Sequence, residues 1–73
     1  MEVVLYTRAG CHLCDDAREV LELHGLQPRL VDIDDDVRLR GQFNECVPVV
    51  EIDGKLRFRG RVDPLLLRRL LGS

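Results

Sequence analysis

The chain has 73 residues, of which 45% are hydrophobic and 33% charged, and its formal net charge is −2. This length and composition predict a single domain, residues 1–73, with a small core. No apolar segment has the length of a membrane span and no targeting segment is visible, so we expect a cytoplasmic protein without a membrane partner. The negative net charge, few aromatic residues and lack of a recognition motif argue against a nucleic-acid partner.

The charge is distributed unevenly along the chain. Residues 1–54 carry twelve acidic and five basic side chains (−7), whereas residues 55–73 carry six basic and one acidic (+5), which together give −2. A basic C-terminal quarter is either a solvated edge of the domain or a surface that meets an anionic ligand or an acidic partner. The sequence leaves both interpretations open.

The first two elements are a strand and a helix. Met1 to Thr7 contains the nearly continuous apolar run "VVLY", which is typical of a strand covered on both faces. A turn at Ala9-Gly10 follows. The next segment has helical periodicity, begins at or just after Cys11 and ends before Gly25. Its expected buried stripe consists of Leu13, Ala17, Val20, Leu21 and His24.

The middle of the chain predicts a second strand and a short helix. Arg29 to Asp32 is the strand, and the helix runs from Asp36 to about Phe43, with an N-cap aspartate supplied by "DIDDD". Because the first strand, helix and second strand follow each other directly, the two strands are expected to pair in parallel.

The last quarter of the chain predicts a hairpin and a helix. Asp53-Gly54 suits a type I′ turn between Val49–Ile52 and Lys55–Phe58. The alternation in "KLRFR" places its two arginines on the outward face of an edge strand, where charges prevent unwanted pairing. Pro64 is the predicted first helical residue, with Asp63 as N-cap. The result is an α/β fold of order βαβαββα, a mixed four-stranded sheet flanked by three helices.

Cys11 and Cys14 form a Cys-x-x-Cys motif between the first strand and the first helix. Two residues three apart at a helix start lie within disulfide reach. The helix N-terminus favours an anion and lowers the pKa of a thiol, so Cys11 is the candidate nucleophile and Cys14 the resolving thiol. We expect the cations of Arg8 and protonated His12 to stabilise the thiolate.

Two other interpretations of the motif stay open at this stage. Cys11 and Cys14 would bind zinc or an iron–sulfur cluster if Cys46 and His12 joined them, because a zinc site needs four ligands. His12 points between the cysteines, which makes that set strained, and no metal site is predicted. The thiols would otherwise be inert buried residues, which is also the commoner role of a cysteine such as Cys46.

The motif and its surroundings resemble a known family. "YTRAGCHLCDDAREVL", with "VDIDDD", "VPVV", "DGK" and "DPLLLRRLL", resembles the glutaredoxin-like proteins of the thioredoxin-fold superfamily along nearly the whole chain. The resemblance implies that Cys11 and Cys14 are the redox pair. It also implies that Pro48 is a cis-proline beside the disulfide and that Val47 offers its backbone to a thiol substrate.

The resemblance further implies a glutathione site, although several residues of this chain differ from the family pattern there. Arg8 stands where a basic residue binds a glutathione carboxylate, and His12 lies between the cysteines beside the substrate. Gly60 and Asp63 stand where the family binds the γ-glutamyl end. The family's Gly-Gly pair, however, is Gly60-Arg61 here. In addition, Pro-Tyr between the cysteines is replaced by His12-Leu13, and Cys46 stands in place of a threonine.

The implied activity is that of a monomeric dithiol thiol–disulfide oxidoreductase that reduces protein or small-molecule disulfides. No resident cofactor is implied, and glutathione is a possible co-substrate. "VPVVEIDGKLRFRGRVDP" is also similar to the redoxins that reduce ribonucleotide reductase, which accept electrons from thioredoxin reductase. The donor is therefore either glutathione or a reductase of that type. The alternative functions are metal binding and a non-catalytic module that binds a partner.

Overall fold

A computed structural model describes residues 1–44 and 46–72 of the chain. In chain order its elements are β1 (Val3–Thr7), α1 (His12–Leu23), β2 (Arg29–Asp32), α2 (Val37–Phe43), β3 (Val49–Ile52), β4 (Lys55–Arg59) and α3 (Pro64–Leu70), with a 3₁₀ turn at Ile33–Asp35. The predicted order βαβαββα is confirmed. Among the described residues, no helix combines the length and the apolar character that crossing a membrane requires.

The four strands form one mixed sheet in the order β2-β1-β3-β4. β1 pairs in parallel with β2 and antiparallel with β3, and β3 pairs antiparallel with β4. In this register Tyr6, near the end of β1, lies opposite Val49, at the start of β3. The loops that follow β1 and precede β3 therefore meet at one end of the sheet.

The two faces of the sheet carry different helices. On one face, α1 and α3 cover a core that includes Leu5, Ala17, Leu21, Val50 and Leu67. This arrangement follows from the sequence, because α1 turns its small and branched apolar residues inward and its charged residues outward.

The opposite face of the sheet is covered by α2 and the 3₁₀ turn. Ile33, Phe43 and Val49 form a second, smaller buried cluster there. The Tyr6 ring contacts the Phe43 ring at a centroid distance of 4.9 Å. Phe43, together with Leu39 packed against the same cluster, thus holds the short α2 on the sheet.

Aspartates define where several elements begin. The carboxylate of Asp36 accepts a hydrogen bond of 2.8 Å from the backbone N–H of Arg38 and caps α2, while Asp32 caps the 3₁₀ turn through Asp34 N–H. Such caps satisfy amide groups that a helix start leaves unpaired. The hairpin turn has positive φ at both Asp53 (52°) and Gly54 (83°), which agrees with the predicted type I′ turn.

Two predictions about side-chain position are wrong. Leu13, expected on the buried stripe of α1, is more than half exposed, whereas the next residue of the same turn, Cys14, is buried. In β4, a register shift between Val50 and Glu51 pairs Phe58 with Val50 and Leu56 with Glu51. The bulge puts Phe58 in the core (5% exposed) and leaves Leu56 41% exposed, so they do not share a face as simple alternation predicts.

Candidate redox site

The redox site lies where β1 ends and α1 begins. After Thr7 the chain turns, and the backbone N–H of Cys11 donates a hydrogen bond of 3.3 Å to the carbonyl of Arg8. Cys11 has extended backbone angles (φ −90°, ψ 106°) and is the N-cap of α1. The turn therefore delivers the Cys11 side chain to the end of the helix that carries unpaired N–H groups.

Cys11 and Cys14 form a disulfide, with their Cα atoms 5.2 Å apart. The Cys11 Sγ also accepts a hydrogen bond of 3.1 Å from the backbone N–H of Cys14. This N–H and the positive end of the helix dipole favour negative charge on the same sulfur once the disulfide is reduced. Cys11 is half-buried, whereas Cys14 is only 2% exposed, so a substrate reaches Cys11 more readily.

The side chain of Arg8 is bound on the side of the sheet that carries α2. Its Nε and Nη2 atoms donate to the carboxylate of Asp34 at 3.0 and 2.9 Å, and its Nη atoms also donate to the backbone and side-chain oxygens of Asn44. The hydrogen bond to Arg8 lowers the pKa of Asp34, and the same bond raises that of Arg8. The charge of Arg8 is therefore balanced by Asp34. Its predicted roles, stabilising a thiolate and binding a carboxylate, stay predictions.

The cis-proline loop lies at the same end of the sheet. The Val47–Pro48 peptide bond is cis, as the family resemblance implies. Pro48 is buried and Val47 half-buried, directly before β3. Cys46, a free thiol, packs against the cluster of Ile33, Phe43 and Val49, as Val47 does. This surrounding matches the role of a small apolar residue.

The segment from Gly60 to Asp63 joins this loop to α3. Gly60 has a φ of 81°, and its backbone N–H donates a hydrogen bond of 2.7 Å to the carbonyl of Pro48. The Asp63 carboxylate accepts hydrogen bonds from the N–H groups of Leu65 and Leu66, at 2.9 and 3.4 Å. The predicted capping role of Asp63 is confirmed, while binding of glutathione by Gly60 and Asp63 stays a prediction.

A cleft of about 410 Å³ lies between α1 and the Gly60–Asp63 segment. Its walls are apolar except for Asp16 on α1 and Arg61 on the facing segment. Neither residue was predicted as part of a site; Arg61 was noted only as the departure from the Gly-Gly pair that the family resemblance implies. His12, the first residue of α1, is exposed, and its predicted role stays a prediction. The full lining is Leu13, Asp16, Ala17, Val20, Arg61, Val62 and Pro64.

The described residues offer no set of metal ligands. Within residues 1–44 and 46–72, no group of three or more His, Cys, Asp or Glu side chains is placed to hold a metal ion. Cys46 therefore does not join Cys11 and Cys14 in such a group. The metal-binding alternative has no support in this part of the chain.

Comparison with known structures defines the fold. The X-ray structure of protein XcR50 from X. campestris superposes with a TM-score of 0.82 at 34% identity, covering 94% of this chain and 93% of that one. NrdH-redoxin from Escherichia coli, a glutaredoxin-like protein described as having a thioredoxin-like activity profile, gives 0.74 at 25% identity, covering 100% and 99%. A glutaredoxin from Archaeoglobus fulgidus shares the fold, with a TM-score of 0.70 at 21% identity and coverage of 99% and 87%.

These likenesses establish a thioredoxin-like fold of the glutaredoxin type. The model of the glutaredoxin-like domain family matches residues 2–72. The chain belongs to this glutaredoxin-like family. A search of curated proteins found no match to this chain.

Proposed function

We propose that the protein is a dithiol thiol–disulfide oxidoreductase that reduces disulfides through Cys11 and Cys14. The observation that carries this proposal is the pairing of the two sulfurs at the start of α1, with the Cys14 N–H directed at the Cys11 Sγ at 3.1 Å. A family membership that spans residues 2–72 supports it. The unpaired Cys46 thiol fits a reducing compartment, and we place the activity in the cytoplasm, carried out by a monomer.

The catalytic cycle begins with the reduced protein. The Cys11 thiolate attacks one sulfur of the substrate disulfide, so that a Cys11–substrate bond forms and the other substrate sulfur leaves as a thiolate that takes up a proton. The Cys14 thiol then loses its proton and attacks the Cys11 Sγ. The second substrate thiol is released, and the Cys11–Cys14 disulfide remains. The substrate gains two electrons and two protons, which an external dithiol restores to the protein.

We infer that this external donor is a protein dithiol of the thioredoxin-reductase type rather than glutathione. Two side chains that the family resemblance assigns to glutathione already have internal partners: Arg8 binds Asp34 and Asn44, and Asp63 caps α3. Arg61 replaces a family glycine beside the cleft. The likeness to NrdH-redoxin over the full chain supports the same inference.

Turnover measurements test the activity. Reduction of insulin disulfides should proceed with the wild type and with Cys46→Ser, the matched control, and should be abolished in Cys11→Ser. Reduced and oxidised wild type should differ in mass by two hydrogens. Unchanged turnover in Cys11→Ser contradicts the proposal, and oxidisable thiols without turnover would instead indicate a non-catalytic module.

A separate experiment tests the donor. The oxidised protein is offered reduced glutathione, or NADPH with thioredoxin reductase, and the formation of its two thiols is followed by mass. We expect rapid reduction only by the reductase. Reduction by glutathione alone at a comparable rate contradicts the inference about the donor and leaves the oxidoreductase activity itself intact.

A further inference from the structure

A groove runs between the edge strand β4 and the last helix α3, and it shares no lining residue with the cleft between α1 and the Gly60–Asp63 segment. Its volume is about 290 Å³, and its lining consists of Arg57, Phe58, Leu66, Arg69 and Leu70. We call it the β4–α3 groove. Leu66 is 49% and Leu70 is 39% exposed, one turn apart on α3, so apolar side chains stay open to solvent between the two arginines.

The bulge in β4 creates one wall of the β4–α3 groove. Leu56 pairs with Glu51 and Phe58 with Val50, two adjacent residues of β3, so Arg57 is the additional residue of β4. A bulge on an edge strand redirects the side chain that it carries. Here the groove has Phe58 and Arg57 on its strand side and Leu66, Arg69 and Leu70 on its helix side.

The two arginines that line this groove, Arg57 and Arg69, differ from Arg8 and Arg18 in their ion pairing within the described residues. Within the described part of the chain, neither Arg57 nor Arg69 forms an ion pair, whereas Arg8 pairs with Asp34 and Arg18 with Glu22. Residues 55–73 carry a net charge of +5. The groove is therefore a positively charged surface with an apolar centre, in a protein that is negative overall.

Protection of the sheet edge explains only part of this surface. Charged residues and a bulge both prevent an edge strand from pairing with another chain, which accounts for the arginines of β4. It does not account for Arg69, Leu66 and Leu70, because they lie on α3 rather than on the strand. An exposed apolar patch with a polar rim is typical of a protein-binding site, and arginine is enriched among the residues that dominate binding.

We propose that the β4–α3 groove binds an acidic segment of a protein partner, with one or two apolar residues of that segment inserted beside Leu66 and Leu70. The charge complementarity comes from Arg57 and Arg69, which face the carboxylates of the partner. A second copy of this chain is a poorer occupant. If the acidic part of one copy bound the basic groove of another, the two copies would use different surfaces. Such a head-to-tail interface builds an open filament unless the rotation between successive copies closes a ring.

Binding of a defined peptide tests the proposal independently of the redox activity. The probe is a short, fluorescent, cysteine-free peptide in which leucine and phenylalanine are interspersed among glutamates. Binding is measured by fluorescence anisotropy, and the groove is mapped by amide chemical-shift changes at β4 and α3. We expect saturable binding that weakens with salt, together with an affinity at least about tenfold lower in the variant Arg57→Glu/Arg69→Glu.

Matched controls separate the groove from general electrostatics. The variant Arg29→Glu/Arg38→Glu has the same charge change on β2 and α2 and should bind as the wild type does. Leu66→Ser/Leu70→Ser should weaken binding without changing the charge. A peptide with glutamines in place of the glutamates should not bind.

Four outcomes overturn the proposal. They are no binding, equal loss in both charge-reversal variants, tighter binding of a single-stranded oligonucleotide than of the peptide at physiological salt, and concentration-dependent self-association that Arg57→Glu/Arg69→Glu abolishes. None of these outcomes depends on insulin reduction, so a failure here is distinguishable from a failure of the oxidoreductase activity.

Discussion

The backbone N–H of Gly60 donates a hydrogen bond of 2.7 Å to the carbonyl oxygen of Pro48. The bond joins the end of β4 to the cis-proline loop, at the end of the sheet where the cysteine pair lies. Gly60 makes it with a φ of 81°, in the left-handed region that costs other residues roughly 1–2 kcal/mol. The connection thus depends on a glycine backbone and not on any side chain.

The variant Gly60→Ala should therefore be less stable than the wild type by about 1 kcal/mol in urea denaturation. A Cβ added there meets no heavy atom within 4 Å, so the cost is one of backbone conformation and not of a clash. Gly41 is the matched control. It has equal space but lies inside α2, so Gly41→Ala should stabilise the protein by about 1 kcal/mol. Effects of the same sign in the two variants contradict this explanation.

Asp63 supports α3 through its side chain, and its substitution separates capping from ligand binding. Asp63→Ala should reduce the free energy of unfolding by about 1 kcal/mol, because the N–H groups of Leu65 and Leu66 lose their acceptor. Asp63→Asn keeps an oxygen acceptor and should retain most of that stability. If Asp63→Asn is stable but loses reduction by glutathione specifically, the carboxylate binds glutathione, which contradicts the donor that we infer.

Tyr6 should titrate at an unusually high pH. Its hydroxyl donates a hydrogen bond of 2.6 Å to Glu51, and this bond, followed by burial and the charge of Glu51, raises the pKa of Tyr6 to about 12. Tyr6 is the only tyrosine in the sequence, so ultraviolet absorbance reports its ionisation directly. Glu51→Gln should bring the transition closer to the ordinary value of 10.0. An ordinary pKa in the wild type contradicts the hydrogen bond.

The same bond should make stability depend on alkaline pH. Because the folded pKa is raised, the stabilisation is complete below about pH 10 and is lost as the pH approaches about 12. Tyr6→Phe keeps the ring against Phe43 and should cost about 1 kcal/mol at neutral pH. The difference between the two proteins should shrink across that alkaline range.

The stabilisation by Asp34 should have the opposite pH dependence: it is lost in acid and not in alkali. Arg8 lowers the pKa of Asp34, so the ion pair stabilises the fold above the ordinary pKa of an aspartate, and this stabilisation is lost as the pH falls through the folded value. Asp34→Asn should therefore be less stable than the wild type at neutral pH, and the two should converge in acid. Asp35→Asn, without an ion pair in the described residues, is the control. Parallel stability curves for wild type and Asp34→Asn contradict the pairing.

The sequence predicted those features that depend on neighbouring residues. Asp63 as a cap, an aspartate of "DIDDD" as the cap of α2, and the Asp53-Gly54 turn follow from local hydrogen bonds and backbone preferences; the cap of α2 is Asp36, which was predicted as the first helical residue. The hydrogen-bond partners of Arg8 could not be predicted from the sequence, because Asp34 and Asn44 lie 26 and 36 residues further along the chain. Strict alternation along β4 predicts that Leu56 and Phe58 share one face of the sheet. The bulge that separates them could not be predicted, because it arises from the pairing of β4 with β3 and not from the sequence of β4 alone.

The burial of Cys14 yields a prediction about trapping. If Cys11 attacks first and Cys14 resolves, reduced Cys14→Ser should accumulate a mixed disulfide between Cys11 and the substrate, because the second attack is missing. Mass spectrometry of the protein after exposure to a peptide disulfide would show the added peptide, and proteolytic mapping would place it on Cys11. Cys11→Ser should trap far less, since Cys14 is only 2% exposed, and Cys46→Ser should turn over normally. Strong trapping on Cys14 in Cys11→Ser would reverse the order of steps proposed for the two cysteines. Trapping on Cys46 in Cys14→Ser would instead make Cys46 the nucleophile.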